Sequence, residues 1–188
     1  PMSSRHVVLI PPDRQHYAKL RQLETSGRLA TRWRLRGGTP SPEQYAEQLW
    51  AGVLAQYLVV DRDTHVPVGL VACYGANAYD GHASLGGAKF DPTDRSLIFL
   101  EGCMLTITHV FDNWPFRKLY LRVPSFNLDP IASGIGKVFE EEGVLREHVY
   151  AGGRYWDEHI LAISKGKWES LRPLLNRFLG GAPNATVG

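Results

Sequence analysis

The sequence lacks the features that mark several classes of protein. Of its 188 residues only two are cysteine, Cys73 and Cys103, and they lie far apart with no metal-type spacing. The formal net charge of +2 is too small to predict binding to nucleic acid or to an anionic membrane. No apolar run approaches the roughly 20 residues of a membrane span, and no charged-then-apolar secretion signal opens the chain. We therefore expect a cytoplasmic protein with reduced thiols, no membrane segment and no metal site.

The composition that remains is that of an ordinary globular protein, with 44% hydrophobic and 21% charged residues. A chain of this length can bury a substantial core in one unit. Neither an internal repeat nor a linker-like segment divides it. We predict a single domain over residues 1–188, with a loose tail at 180–188.

Hydrophobic periodicity and turn residues predict one mixed α/β unit. The predicted strands are 7–10, 57–60, 66–74, 82–90, 119–123, 149–151 and 154–163. The predicted helices outside the stretch discussed next are 14–23, 42–54, a long apolar helix ending near 114, and 167–179. Their order is a strand and two helices, a meander, a helix, a strand, a helix and a final hairpin.

The stretch 117–146 carries the most information about function. Apolar residues alternate with polar ones over 118–123, which is the period-2 pattern of a strand. Asp129 is a good N-cap, and apolar residues recur at helical spacing over 131–139. The pattern therefore predicts a strand, a loop that holds Asn127, and a short helix returning over the sheet.

This arrangement resembles the GNAT (Gcn5-related N-acetyltransferase) superfamily, and within it the branch that acetylates the N-terminus of ribosomal proteins. That branch has a strand, an Asn, a helix ending in Gly-Phe, and then Glu-Gly-x-Leu-Arg. The positions that match it are Asn127, Phe139, Glu142, Gly143, Leu145 and Arg146. Val138 stands in place of the Gly, and Pro130 in place of a common Ser. The resemblance covers nearly the whole chain. It implies the α/β GNAT fold, with a mixed, mostly antiparallel central sheet, helices on both faces, and one splayed parallel strand pair near Phe90 and Val123.

The resemblance also implies a site for acetyl-CoA as the acyl donor. Its pantetheine arm would lie between the splayed strands, against the chain at Ala88, Phe90 and Asn127. Its pyrophosphate would rest on the N-terminus of the next helix, where unpaired N–H groups and the helix dipole favour an anion. The family has a loop of the form Arg/Gln-x-x-Gly-x-Gly/Ala there. The corresponding residues in this chain include no glycine and are Arg95, Ser96, Leu97, Ile98 and Phe99.

Two interpretations of that loop are open. In the first, backbone N–H groups still hold the pyrophosphate, and Arg95 with Lys89 supplies additional positive charge. In the second, Leu97, Ile98 and Phe99 close the pocket, so that CoA binds weakly or another acyl carrier serves as donor.

Acylation of an amine needs a base for the ammonium proton and an acid for the departing thiolate. A Tyr acid that many members of the family carry after the Asn is replaced by Gly134, so the neighbouring Ser133 is the candidate acid, with a local helix cap as the alternative. Glu101 is a candidate base, with a role as dipole partner of its helix as the alternative. Asn127 is expected to set the geometry of the strand–helix junction.

Two other groupings invite a chemical interpretation. Cys103 could act as a nucleophile, but neither cysteine lies in a His-paired context, which favours a small buried residue. Asp157, Glu158 and His159 look like a metal or triad cluster. In a strand, however, Asp157 and His159 share one face while Glu158 points the other way.

The acceptor pocket is expected to form from residues 28–36, the loop at 75–82 and the final hairpin. Trp33 could wall this pocket, with a buried anchor as the alternative. Arg32, Arg34 and Arg36 could hold an acidic or phosphorylated acceptor, or a tRNA or carrier-protein surface, with a solvated basic loop as the alternative. His82 could contact the substrate or act as a base.

The function that the resemblance implies is transfer of an acetyl group from acetyl-CoA to a primary amine of a peptide, a protein N-terminus or a small metabolite. One alternative is a non-catalytic GNAT scaffold that serves as a binding or regulatory subunit. Another is a transferase that takes its acyl group from acyl-carrier protein or aminoacyl-tRNA. A homodimer is a candidate state, and no nucleic-acid partner other than tRNA is expected.

Overall fold

A computed structural model describes residues 2–180, and the predicted tail beyond Gly180 lies outside them. Eight strands form one sheet in the order β1-β2-β3-β4-β5-β6-β8-β7. The strands are β1 (Met2–Ser3), β2 (Val7–Ile10), β3 (Val53–Asp61), β4 (Pro67–Asn77), β5 (His82–Lys89), β6 (Lys118–Pro124), β7 (Glu140–Ala151) and β8 (Arg154–Ser164). All neighbours are antiparallel except β5 and β6, which are parallel. The prediction of a mixed, mostly antiparallel sheet with one parallel pair is confirmed.

Helices cover both faces of this sheet. They are α1 (Arg14–Glu24), α2 (Leu29–Arg32), α3 (Pro42–Trp50), α4 (Ile98–Asn113), α5 (Asp129–Ala132) and α6 (Lys165–Phe178). Leu20 of α1 and Leu49 of α3 are buried in one cluster with Leu58 of β3, whereas the adjacent Val59 is buried with Leu105 of α4. Because successive strand residues face opposite sides, α1 and α3 lie on one face and α4 lies on the other. No helix within residues 2–180 is long and apolar enough to cross a membrane.

Side-chain caps fix the starts of three long helices. Asp13 and Ser41 each accept a hydrogen bond from a first-turn backbone N–H, and each belongs to a capping box. Ser164 caps α6 by accepting from the N–H of Lys167. Helix α3 ends earlier than the predicted residue 54, because Gly52 adopts a positive φ of 68° and strand β3 begins directly after it.

The predicted helix over 131–139 is wrong. Only the single turn α5 is helical, and Asp129, predicted as its N-cap, is already its first residue. The carbonyl of Gly134 accepts from three later N–H groups, which closes a tight turn, and Gly136 takes a φ of 79°. Two glycines in this segment disfavour helix. The chain instead enters β7, where pairing with β8 satisfies the backbone.

Close packing of α4 on the sheet generates a stability prediction. A Cβ added at Gly102 would lie 2.5 Å from Cγ1 of Val59, which is buried beneath the helix. We expect Gly102→Ala to lower the free energy of unfolding by about 1–3 kcal/mol, because the helix must shift away from β3. Urea denaturation measures the change.

Gly166 in α6 provides the matched control, because a Cβ there meets no atom within 4 Å. Gly166→Ala should leave stability unchanged or raise it by up to about 1 kcal/mol through helix propensity. Equal effects of the two substitutions would contradict the packing of α4 described above.

Candidate active site

The parallel strands β5 and β6 diverge halfway along their length, and the point where they diverge is here called the parting. They pair from His82 with Lys118 to Leu85 with Leu121. Beyond that point residues 86–89 pair with β4 alone, while β6 continues along β8. The backbone of 86–89 therefore presents an unpaired edge toward β6, and the predicted splayed pair is confirmed.

Two aromatic side chains fill the space above and below this parting. A Cβ on Gly86 would lie 3.2 Å from the ring of Trp33, and one on Gly87 would lie 3.1 Å from the ring of Phe99. Successive residues face opposite sides, so Trp33 covers the α1 face and Phe99 the α4 face. Gly69 of β4 is also needed, since its Cβ would overlap Phe99 at 2.4 Å. The double glycine inside a strand was the sequence signal for this close aromatic packing.

A buried ion pair holds Trp33 in place. Arg34 donates from Nε and Nη2 to the two carboxylate oxygens of Glu24 at 2.8 and 2.6 Å, and Glu24 is almost fully buried. Burial acts to lower the pKa of Arg34, but hydrogen bonding and attraction from Glu24 outweigh it and raise that pKa. Nearby, the guanidinium of Arg32 lies 4.9 Å from the ring centroid of Phe126, which links α2 to the end of β6. The guanidinium of Arg34, a predicted substrate residue, is thus bonded to Glu24 and anchors the loop that carries Trp33. A contact of Arg34 with substrate stays a prediction.

The α1 face beside the parting carries a second group of polar side chains. Arg122 donates to Oε2 of Glu158 from Nε at 3.1 Å and from Nη2 at 2.6 Å, and its Nη2 lies 3.1 Å from His148. The side chain of Glu158 is 8% exposed. The ring of Tyr74 packs over Gly86, and burial together with the charge of Glu158 raises the pKa of Tyr74. This face therefore offers a buried carboxylate and aromatic rings next to the parting.

The sequence did not predict Glu158 as a site residue, although strand alternation placed it on the opposite face of the strand from Asp157 and His159. Asp157 binds Arg146 and the N–H of Glu147, and His159 lies on the other side of β8 with Glu141. The chain offers no metal cluster in this region, since no group of three or more His, Cys, Asp or Glu within residues 2–180 is placed to hold an ion.

On the donor side, the N-terminus of α4 differs from those of the other long helices. Within the described chain no side chain caps it. Asp94 instead accepts from the backbone N–H and the hydroxyl of Ser96, both at 2.8 Å, and these bonds hold the pKa of Asp94 below its usual range. Lys89 lies 3.4 Å from the carboxylate of Asp94. The predicted donor residue Arg95 is exposed and forms no ion pair or hydrogen bond with residues 2–180.

The three apolar residues of the donor loop point in different directions. Phe99 lies against Gly69 and Gly87 under the sheet, and Leu97 is 57% exposed. Ile98 lines a separate cleft of about 270 Å³ together with Leu97, His6, Glu101 and Phe178. Only Phe99 is therefore packed beneath the strand edge. The backbone at the predicted donor residues Ala88 and Phe90 is tied to β4, with Ala88 opposite Leu70 and the N–H of Phe90 donating to Val68.

The predicted catalytic residues are not brought together. Glu101 is buried and accepts hydrogen bonds from the hydroxyl of Ser4, the backbone N–H of His6 at 3.2 Å and its ring Nδ1 at 3.1 Å. Those contacts tie the start of β2 to α4. Ser133 is exposed and ends α5, while Asn127 closes a 3₁₀ turn, Ser125–Asn127, at the end of β6. Their catalytic roles stay predictions.

His82 stands at the first residue of β5, on the same face as Gly86. Its ring meets Tyr120 edge-on, with the centroids 5.6 Å apart. His82 therefore lies on the α1 face, but at the paired end of the strands and away from the parting.

Comparisons of sequence and of structure gave different results. The sequence matches no family model and no curated protein. The structure superposes on RimL, a ribosomal L7/L12 alpha-N-protein acetyltransferase in complex with coenzyme A, with TM-score 0.74, 17% identity, and coverage of 87% of this chain and 96% of that one. The fold is the GNAT fold.

Two further solved structures support that assignment of the fold. Spermidine N-acetyltransferase from Vibrio cholerae in complex with CoA and spermine has TM-score 0.72 and 18% identity over 87% of this chain and 98% of its own. A GCN5-related N-acetyltransferase from Brucella melitensis has TM-score 0.73 and 19% identity over 94% and 84% of the two chains. The GNAT fold expected from the resemblance is confirmed.

The Arg34–Glu24 pair generates a second stability prediction. Glu24→Gln should lower the free energy of unfolding by roughly 3 kcal/mol, because it leaves a largely buried guanidinium without its counter-charge. Glu47→Gln, an exposed change on the neighbouring helix α3, should have no measurable effect. A similar loss from both substitutions in urea denaturation would show that the pair does not hold the loop.

The cysteines generate a prediction about pH. Burial raises the pKa of Cys73 and of Cys103 from 9.0 to about 12. Neither thiol should react with iodoacetamide in native protein near neutral pH, and both should react after unfolding. The folded state keeps these protons while the unfolded state loses them, so stability should fall as pH rises from 9.0 toward about 12. Rapid alkylation of native protein would contradict the packing around both thiols.

Proposed function

We propose that this protein transfers an acetyl group from acetyl-CoA to a primary amine. The observation that carries the proposal is the parting of β5 from β6 directly beside the N-terminus of α4, which no side chain caps within residues 2–180. The solved structures of RimL and of the Vibrio cholerae spermidine N-acetyltransferase, which share the fold, contain CoA. That similarity supports the same donor here.

The residues present fit the donor in three respects. The unpaired edge at 86–89 offers backbone donors and acceptors to the amide groups of a pantetheine arm. The first turn of α4 offers N–H groups and the positive end of the helix dipole to a pyrophosphate. Lys89 and the exposed Arg95 add positive charge close to that turn. Asp94 acts in the opposite sense, since its ionised carboxylate lies at the same loop.

On the acceptor side the arrangement suits an ammonium group. The rings of Tyr74 and Trp33 lie beside Gly86, and the face of an aromatic ring attracts a cation. The carboxylate of Glu158 lies on the same face, where its charge is paired with that of Arg122. Transfer requires the ammonium to lose a proton before its nitrogen attacks the acetyl carbon, and the thiolate that leaves must gain one.

In the proposed reaction the amine loses its proton to the Glu158–His148 pair on the α1 face. Oε2 of Glu158 lies 3.6 Å from Nε2 of His148. Asn127 and Ser133, on the chain segment after β6, are the candidates to hold the thioester and protonate the thiol. Glu101 keeps its proposed role only if a water connects it to the gap. The acceptor class is an amine of a peptide, a protein N-terminus or a small metabolite.

The setting and assembly belong to the same proposal. A cytoplasmic location suits two free cysteines, because thiols stay reduced there. The single sheet supports one globular unit with one active site per chain. The candidate assembly is a homodimer of such units. The one nucleic-acid partner in this proposal is tRNA, which would act as an aminoacyl donor.

The second candidate is a non-catalytic GNAT scaffold, or a GNAT transferase that uses another acyl donor. The observation that favours it is Asp94, whose carboxylate repels phosphate at the helix N-terminus. Isothermal titration of the protein with CoA separates the two candidates. Micromolar affinity together with acetylation of an amine supports the transferase, and absence of binding at high protein concentration supports the scaffold or another donor.

The charge of Asp94 yields a sharper prediction. Asp94→Asn keeps an oxygen that can accept from the N–H of Ser96, but it removes the negative charge, the second oxygen that accepts from the Ser96 hydroxyl, and the ion pair with Lys89. CoA should then bind about two- to fivefold more tightly at low salt, with a smaller gain at high salt because exposed charges are screened. Isothermal titration at two ionic strengths measures this.

Asp63→Asn is the matched control, since Asp63 is an exposed carboxylate in the β3–β4 turn. It should leave the affinity for CoA unchanged. Weaker or unchanged binding by Asp94→Asn would mean that the phosphates do not approach this loop.

A further inference from the structure

A serine, a histidine and a glutamate line up at the end of β6 on the α4 face. Ser125 is the first residue after β6 and begins the 3₁₀ turn. His159 of β8 is paired with Val123, and Glu141 lies on the adjoining strand β7. Nε2 of His159 lies 3.3 Å from Oγ of Ser125, and Nδ1 lies 2.6 Å from Oε2 of Glu141.

These distances join the three groups in the order of a catalytic triad. The carboxylate of Glu141 accepts the proton on Nδ1, which leaves the lone pair of Nε2 directed at the serine hydroxyl. Such constellations are recognised by geometry and role, and not by position in the chain. The hydroxyl has a competing acceptor, the carbonyl of Asp157 at 3.0 Å, so its single proton is shared between two partners.

The backbone around Ser125 suits nucleophilic attack. A strand leads straight into a helical turn at this residue, and Ser125 as a whole is only partly buried. Ser125 to Asn127 form this 3₁₀ turn, and the N–H of Leu128 donates to the carbonyl of Ser125.

The surroundings also keep the histidine in place. The side chain of His159 is 18% exposed and that of Glu141 is 37% exposed. The other charged group close to this ring is the carboxylate of Asp157, which Arg146 and the N–H of Glu147 already engage. His159 is therefore oriented by Glu141 and has one free direction, toward Ser125.

We propose that Ser125 is an activated nucleophile that accepts acyl groups from esters and thioesters with good leaving groups. Oγ forms a bond to the acyl carbon as its proton passes to Nε2 of His159. The bond from the acyl carbon to the leaving oxygen or sulfur breaks, and that atom takes the proton from His159. Water then attacks the serine ester as His159 takes a proton from it, the bond from the acyl carbon to Oγ breaks, and Oγ takes that proton back from His159. The carboxylic acid leaves, so that no oxidant or further reactant is needed.

This activity is distinct from amine acetylation and does not require CoA to bind. It can therefore be tested without an amine or a nucleotide. The probes are p-nitrophenyl acetate, whose leaving group is coloured, and a fluorophosphonate, which labels activated serines.

Wild-type protein should release a burst of p-nitrophenolate close to one equivalent per chain, and peptide mass mapping should place the acetyl group on Ser125. Fluorophosphonate should label the same residue. His159→Gln should slow acylation by on the order of a hundredfold or more, because the general base is lost. Glu141→Gln should slow it less, since it removes only the group that orients the imidazole.

Ser125→Ala should abolish the burst and the label, and Ser170→Ala, at an exposed serine on α6 whose hydroxyl donates to the carbonyl of Lys167, should change neither. Circular dichroism confirms that each variant is folded. Mapping on the wild-type protein decides the question even if a variant fails to fold. Folded wild-type protein that leaves Ser125 unlabelled, or a folded His159→Gln variant that is labelled at the wild-type rate, would overturn the proposal.

Discussion

The site depends on the separation of the parallel strands β5 and β6, and β5 carries no side chains at the point of divergence. Pairing between β5 and β6 stops after Leu85 and Leu121, and the next two residues of β5 are Gly86 and Gly87. Aromatic rings then approach the backbone from both faces, so closely that a Cβ on Gly86 or Gly87 would lie 3.2 or 3.1 Å from them. A gap with an exposed peptide edge results, walled above and below by rigid rings.

The elements around the gap are fixed by buried charges. On the α1 face the Arg34–Glu24 pair anchors the loop that carries Trp33, and on the α4 face Glu101 joins the start of β2 to the helix. Removing one partner of such a pair is costly because the other charge is left unsolvated. The carboxylate of Glu158 is held in the same way by Arg122, yet it remains beside the gap, where a cationic acceptor can meet it.

Much of this architecture could be predicted from the sequence, and the failures have physical causes. Alternation located β6, and apolar periodicity with turn residues located α1, α3 and α4, because those signals are local. Periodicity over 131–139 predicted a helix that does not form, since Gly134 and Gly136 and pairing of the next segment with β8 outweigh it. The neighbours of Glu158 and His159 come from other strands, so their partners could be known only once the strand order β6-β8-β7 was established.

The central claim is that acetyl-CoA lies in the parting between β5 and β6 with its phosphates on α4. Backbone amide NMR during titration with CoA tests this most directly. The account predicts that the largest shifts fall on the N–H groups of 86–89 and of the first turn of α4, at 98–100, with little change in the cleft lined by Arg34, Gln44 and Gln48. Shifts confined to that cleft, or saturable binding that leaves 86–89 and 98–100 unperturbed, would contradict it.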